Sequence, residues 1–210
     1  MTDPIEEELR EGILSLSLDC DDQAISTFLA YIELLRKWNS AYNLLGGNES
    51  SSIVSRHILD SLSINPYLAG DTLVDIGAGA GLPSIPLAIL NPGKKFLLID
   101  SNGKKTRFIF QAKIQLGLDN ISVENCRVEH YQTTQQIDMV MCRAFSTLAD
   151  ALNMLQPIFS DECKFLAMKG QYPEDELAQL PDGFELSKSV KLDVPGSESE
   201  RHLLEIKRKR

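Results

Sequence analysis

The chain has 210 residues, 43% hydrophobic and 24% charged, with a net charge of −9, a size and balance ordinary for one globular core with a small appendage. No apolar run approaches the ~20 residues that span a bilayer, and the acidic start "MTDPIEEELREG" lacks the apolar stretch of a secretory signal. The four cysteines, Cys20, Cys126, Cys142 and Cys163, are scattered without a Cys-x-x-Cys pair, which argues against a metal site and a disulfide framework and points to the cytoplasm.

Charge is unevenly distributed. Residues 1–35 hold nine acids and one base, Arg10, and so carry −8 of the total −9. The remainder is almost neutral and has room for a local basic face, so the total does not exclude a nucleic-acid partner.

Along the chain, Ile25, Phe28, Leu29, Ile32, Leu35 and Trp38 form a helical stripe over 24–38. Asp21 and Asp22 before it, and Arg36 and Lys37 at its expected end, suit the helix dipole. "NLLGGNESSS" reads as a loop, and "IVSRHILDSLSI" from Ile53 as a second helix ending before Pro66. After Gly70 the apolar runs "TLVDIG", "KFLLID", "ISVEN", "IDMVMC" and "CKFLAMKG" alternate with the helical patterns "PLAIL", "KKTRFIFQAKIQLGL" and "TLADALNMLQPIF". That alternation predicts βαβ units and a parallel sheet covered on both faces. "FELSKSVKLDV" and "HLLEIK", either side of the turn-rich "PGSESER", predict a closing hairpin. The expected fold is α/β: a helical N-terminal region over 1–69, then a Rossmann-like, mostly parallel sheet with an antiparallel C-terminal hairpin over 70–210.

The first strand runs into "VDIGAGAGLP", which places Gly77, Gly79 and Gly81 where open parallel sheets bind ligands. The dinucleotide fingerprint GxGxxG needs a third glycine at position 82, which is Leu82, and the Lys-Ser/Thr that closes a P-loop is absent. What is present is Asp-x-Gly-x-Gly-x-Gly from Asp75. Asp100 ends the second strand, 19 residues past Gly81, where a carboxylate can accept both hydroxyls of a ribose and would repel a pyrophosphate. A sulfonium nucleoside fits this acidic, phosphate-free pattern. A nicotinamide cofactor, or a tight turn with no ligand, remains open on these residues alone.

Together, "VDIGAGAGLPSIPLAI", "LLIDSNGKKTRFI", "CRVEH", "MCRAF", "AMKGQ" and "ERHLLEIK" resemble the bacterial 16S rRNA guanine-N7 methyltransferases, once called glucose-inhibited division protein B. The resemblance covers nearly the whole chain. It implies a class I methyltransferase fold, S-adenosyl-L-methionine as donor and N7 of a guanosine in 16S rRNA as acceptor; the expected partner is 16S rRNA or an assembling small-subunit particle, and the expected state a monomer. By position it implies a donor site of Gly77, Gly79, Gly81, Leu82, Asp100, Val128, Glu129 and Arg143, with Arg143 beside the methyl-transfer centre; the acidic strand end Asp75 joins that site on the residue pattern above. Cys142 departs from the serine that precedes "RAF" in that family.

The chemistry is compatible with that implication. A ring nitrogen such as N7 carries an available lone pair, so attack needs proximity and alignment rather than a base. The [N/D]PP[Y/F/W] motif of amine methyltransferases is absent, since the corresponding stretch reads "MCRAFS". Cys142 is read as a small apolar residue ending a buried strand, the alternative being a nucleophile for pyrimidine methylation. An arginine at 143, after a buried strand, needs a partner, either a ligand or a carboxylate such as Asp75 or Asp138. His57, Lys104, Arg107, Lys169, Arg201, His202 and the "KRKR" terminus are candidate RNA contacts; alternatively they are solvated surface charges. Two rivals stand beside this function: a methyltransferase for a small molecule or protein, and a silent RNA- or nucleotide-binding module. Intact donor-loop residues argue against the second.

Overall fold

A computed structural model describes residues 3–45, 52–144 and 146–209. Strands β1 (Thr72–Ile76), β2 (Lys95–Ile99), β3 (Ile121–Glu124), β4 (Met139–Arg143), β5 (Lys164–Lys169), β6 (Phe184–Lys191) and β7 (His202–Arg208) form one sheet. Their order is β3-β2-β1-β4-β5-β7-β6. The first five strands are parallel, and β7 runs antiparallel between β5 and β6. The order reverses between β1 and β4, so the carboxyl ends of those strands flank the crevice where such sheets bind ligands.

Helices cover both faces. Strand alternation sends Leu73, Leu98, Met139 and Met141 to one apolar cluster and Val74, Ile99, Val140 and Cys142 to the other. The first cluster packs α1 (Pro4–Ser15), α2 (Asp22–Tyr42), α4 (Ser84–Leu90) and α5 (Gly103–Leu116); the second packs α6 (Leu148–Leu155). Leu9, Ile25, Phe28 and Leu35 of the N-terminal helices share one core with the sheet.

Three details depart from the sequence expectation. Helix α1 was not foreseen, although Asp3 caps it by accepting from the Ile5 N–H and Pro4 sits in its first turn. Helix α2 continues to Tyr42, so Arg36 and Lys37 lie inside it, and its end is closed by Asn43 in a left-handed conformation. The helix expected from Ile53 is wound as a π-helix over Val54–Leu59 and becomes α-helical only in α3 (Asp60–Leu62). The Ser61 hydroxyl donates to the His57 carbonyl at 2.6 Å and that of Ser63 to the Asp60 carbonyl at 2.6 Å, giving carbonyls in this region local partners. Hydrophobic spacing announces a helix but not its winding, and π-turns concentrate at functional sites. Most of the "NLLGGNESSS" loop, residues 46–51, lies outside the described residues. Among the described residues no helix is long and apolar enough to cross a membrane.

Candidate functional site

Two cavities open at the carboxyl end of the sheet and share Ala144 as a wall. The first, about 330 Å³, is lined by Gly77, Asp100, Lys105, Arg127, Val128 and Glu129 among others. The second, about 350 Å³, is lined by Leu45, Arg56, His57, Asp60, Arg143, Met168, Lys169, Gly170 and Arg201. Both sizes lie in the range of roughly 300–1,000 Å³ usual for small-ligand sites. Ala144 holds φ +50, a conformation that costs a non-glycine residue about 1–3 kcal/mol and that recurs where a chain is shaped for function.

The glycine loop is built from three directions. Asp100, 7% exposed, accepts from the Gly79 N–H at 2.9 Å and from the Asn102 N–H at 2.8 Å, tying the loop to the start of α5. The buried Tyr31 hydroxyl of α2 donates to the Ala80 carbonyl at 2.6 Å. Gly81 (φ +81) packs so closely on α4 that a Cβ would stand 2.4 Å from Ile85 Cδ1, so its missing side chain serves helix packing. At Gly79 (φ +58) a Cβ would meet nothing nearer than the Gly77 carbonyl at 3.7 Å, which leaves a cradle open to a ligand. Leu82 is buried in the first apolar cluster.

Asp75 is fully enclosed on the same sheet face. Ser84 Oγ donates to its Oδ2 at 2.7 Å, while Oδ1 has no partner. Burial pushes the carboxyl up to about 8, against the opposing pull of Ser84 and Arg143. Between roughly pH 4 and 8 the folded chain therefore retains a proton that the unfolded chain has released, so Asp75 favours folding most below pH 4 and loses that contribution as pH rises to 8. Asp75→Asn cannot titrate. Unfolding free energies of the variant from urea titration are expected to fall less than those of the parent from pH 4 to 8, a difference of a few kcal/mol at about 1.4 kcal/mol per pH unit.

In the 3₁₀ turn Val128–His130, Val128 is 5% exposed. Its N–H and that of Glu129 enter no hydrogen bond among the described residues. An apolar side chain beside two free N–H donors and an acceptor carboxylate at Asp100 together fit an adenosine; Asp75, expected from the sequence at the donor, is enclosed away from this cavity and held by Ser84.

The second cavity is organised by Asp60. Its Oδ2 accepts from Arg143 Nη1 at 2.9 Å and its Oδ1 from Arg201 Nε at 2.8 Å, with the carboxylate 3% exposed. Arg143 also donates through Nη2 to His57 Nδ1 at 3.1 Å and through Nη1 to the Arg56 carbonyl at 3.3 Å. Thus neither Asp75 nor Asp138 pairs with Arg143; Asp138 instead accepts from the Asp71 and Thr72 N–H groups. Burial and the neighbouring arginines, Arg143 foremost, lower His57 to about 3, so the ring is neutral.

The basic candidates divide by position. Lys169 lines the second cavity but is held by Glu176 at 2.8 Å. His202 sits at its edge, with Nδ1 3.1 Å from the Gly170 carbonyl and its ring against Tyr172. Lys104 and Arg107 are exposed on α5, whose Lys105 lines the first cavity. The C-terminal cluster goes elsewhere. Because β7 is antiparallel to β5, Lys207 and Arg208 lie at the far end of the sheet from His202, paired with Glu185 and Asp161. Sequence reasoning did not single out Tyr31, nor Asp60 as the centre of the arginines. Its only local signal for Asp60 was a carboxylate one helical turn past Arg56 and His57.

Residues 24–204 match the family described as rRNA small subunit methyltransferase G. The chain belongs to that family. A ribosomal RNA small subunit methyltransferase G from Nitrosococcus oceani is 46% identical over 202 residues, 96% of this chain and 94% of that protein. Its counterpart from Marinobacter nauticus is 47% identical over 201 residues, with the same shares. Among solved structures, a SAM-dependent methyltransferase from Thiobacillus denitrificans in complex with S-adenosyl-L-homocysteine superposes with a TM-score of 0.55 at 13% identity, covering 83% of this chain and 98% of that one. That likeness supports the class I fold.

In this rRNA methyltransferase, Cys142 faces the α6 side of the sheet, 4% exposed, opposite in strand alternation to Arg143. Burial pushes its thiol up to about 12, far from the thiolate a nucleophile needs. Cys142→Ser is expected to retain its initial methylation rate within about threefold, whereas loss of a covalent nucleophile would abolish it.

Proposed function

We propose that this methyltransferase transfers the methyl group of S-adenosyl-L-methionine to N7 of one guanosine in 16S rRNA. The observation that carries this reading is the pair of cavities meeting at Ala144, one suited to an adenosine and the other walled by Arg143, Arg201, Arg56, Lys169 and His57. When bound, the donor supplies an electrophilic methyl group on a positively charged sulfur.

The chain's own residues hold and align. Asp100 accepts from the ribose hydroxyls with lone pairs its loop contacts leave free. Val128 packs against the adenine, and the Val128 and Glu129 N–H groups meet its edge. Gly77 and Gly79 admit the donor close to the backbone, Gly81 and Leu82 fix the loop on α4, and Asp75, enclosed and bonded to Ser84, supports the strand end beneath the loop rather than touching the donor. Arg143, fixed by Asp60, stands at the transfer centre. N7 needs no deprotonation, so a neutral His57 and a protonated thiol at Cys142 are no obstacle, and alignment supplies the rate.

Lys104 and Arg107 on one side, and Lys169, Arg201 and His202 on the other, meet backbone phosphates, so affinity for RNA falls steeply with salt. We read residues 1–69 as the helical region bracing the donor loop through Tyr31 and residues 70–210 as the donor-binding domain of a cytoplasmic monomer. Its substrate is 16S rRNA, free or in an assembling small-subunit particle. The test is transfer of label from S-adenosyl-L-methionine into unmodified 16S rRNA, with a protein extract and a metabolite pool as parallel acceptors. Label in RNA supports the reading; label only in protein or small molecules overturns it.

A further inference from the structure

Arginine has hydrogen-bond donors and no acceptor. Arg143 Nη2 lies 3.1 Å from His57 Nδ1, so Nδ1 must be the accepting nitrogen and the ring proton must sit on Nε2. The tautomer is thereby set by its neighbour. The same arginine cannot turn away freely, because Asp60 holds it at 2.9 Å and is itself held by Arg201 at 2.8 Å. Both Asp60 oxygens are engaged, and the carboxylate is 3% exposed. With Asp60 engaged, the polar side chains lining this cavity are therefore donors: Arg56, Arg143, Lys169, Arg201 and His57 through its Nε2–H.

Purines differ on the edge that carries N7. Guanine presents two acceptors there, N7 and O6, whereas adenine presents the N7 acceptor and an N6 amine donor. A wall of donors complements the first and confronts the second with donor against donor. N7 must stay free for the incoming methyl, which leaves O6 as the atom to be read.

We propose that His57, fixed as its Nε2–H tautomer by Arg143, selects guanine over adenine by donating to O6. The inference rests on the N7 reading above. His57 is a specificity residue, and Asp60 a positioning residue acting through Arg143.

The test uses the full chain and small-subunit rRNA ligated to carry guanosine, inosine or 2-aminopurine riboside at the methylated position. All three keep N7; the first two keep O6 and the third lacks it. The parent enzyme is expected to use guanosine and inosine within about tenfold of each other and 2-aminopurine about 10²-fold more slowly, as sites built around a hydrogen bond reject analogues lacking it. In His57→Ala the guanosine rate falls to near the 2-aminopurine rate, which itself changes little, so the ratio collapses while donor affinity holds. His57→Gln, whose amide can accept from Arg143 and donate to O6, restores part of the ratio; it is also the deciding variant if His57→Ala loses donor binding. An unchanged guanosine to 2-aminopurine ratio in these variants overturns the proposal, even if all rates fall. If instead the parent enzyme labels no RNA, or labels an atom other than N7, the underlying function fails.

Discussion

Asp60→Ala is expected to lower kcat/KM for RNA methylation about 10²-fold while leaving donor affinity within about threefold. The carboxylate is almost wholly buried and takes one bond from each of two arginines, one ending β4 and the other immediately before β7. Removing it leaves two guanidinium groups without their counter-charge and frees Arg143 to shift. A displacement of about 1 Å at a reacting centre is enough for a 10²-fold loss. Stability should fall by about 2–4 kcal/mol, toward the low end for a broken buried pair because the arginine side chains retain some exposure and can turn to water. Urea denaturation, donor titration and initial methylation rates separate these effects. Full methylation by a destabilised variant would show that Asp60 serves the fold alone.

Asp100→Ala should act on the other cavity, weakening donor binding about 10²-fold, as expected for loss of two charge-assisted hydrogen bonds of about 1.5–3 kcal/mol each partly offset by water. The effect has a second source in this chain. Asp100 holds the Gly79 and Asn102 N–H groups, so its removal also frees the glycine loop from α5. At saturating donor, kcat should recover to within about tenfold of the parent, because Arg143, His57 and Asp60 are untouched. A loss of kcat that saturating donor cannot restore would place Asp100 at the chemistry rather than at binding. Calorimetric titration with the donor, followed by rates at high donor concentration, reads both.

The donor half of the site was legible in the sequence because it is local. Asp75, the glycines and Asp100 sit at the ends of adjacent strands whose apolar runs announce them, and β1 pairs with β2 in register from Thr72 to Ile76. The role of each glycine was less legible. Gly81 is required by a side chain four residues on, Ile85, whereas Gly79 leaves a cradle. The acceptor half was hidden by distance along the chain. Arg143 meets Asp60 across 83 positions and Arg201 meets Asp60 across 141, contacts that no spacing rule encodes. The same reason separates the fates of the basic residues. Arg201 and Arg208 look alike in the tail, yet the antiparallel course of β7 carries one into the cavity and the other to the far end of the sheet, against Phe184 and Asp161.

The most direct test of the account is mass mapping of nucleosides in small-subunit rRNA, isolated unmodified and incubated with the protein and isotopically labelled S-adenosyl-L-methionine. The predicted result is label in 7-methylguanosine at a single position. Label in a methylated amine or pyrimidine carbon, or none in RNA while donor binding is intact, would contradict it.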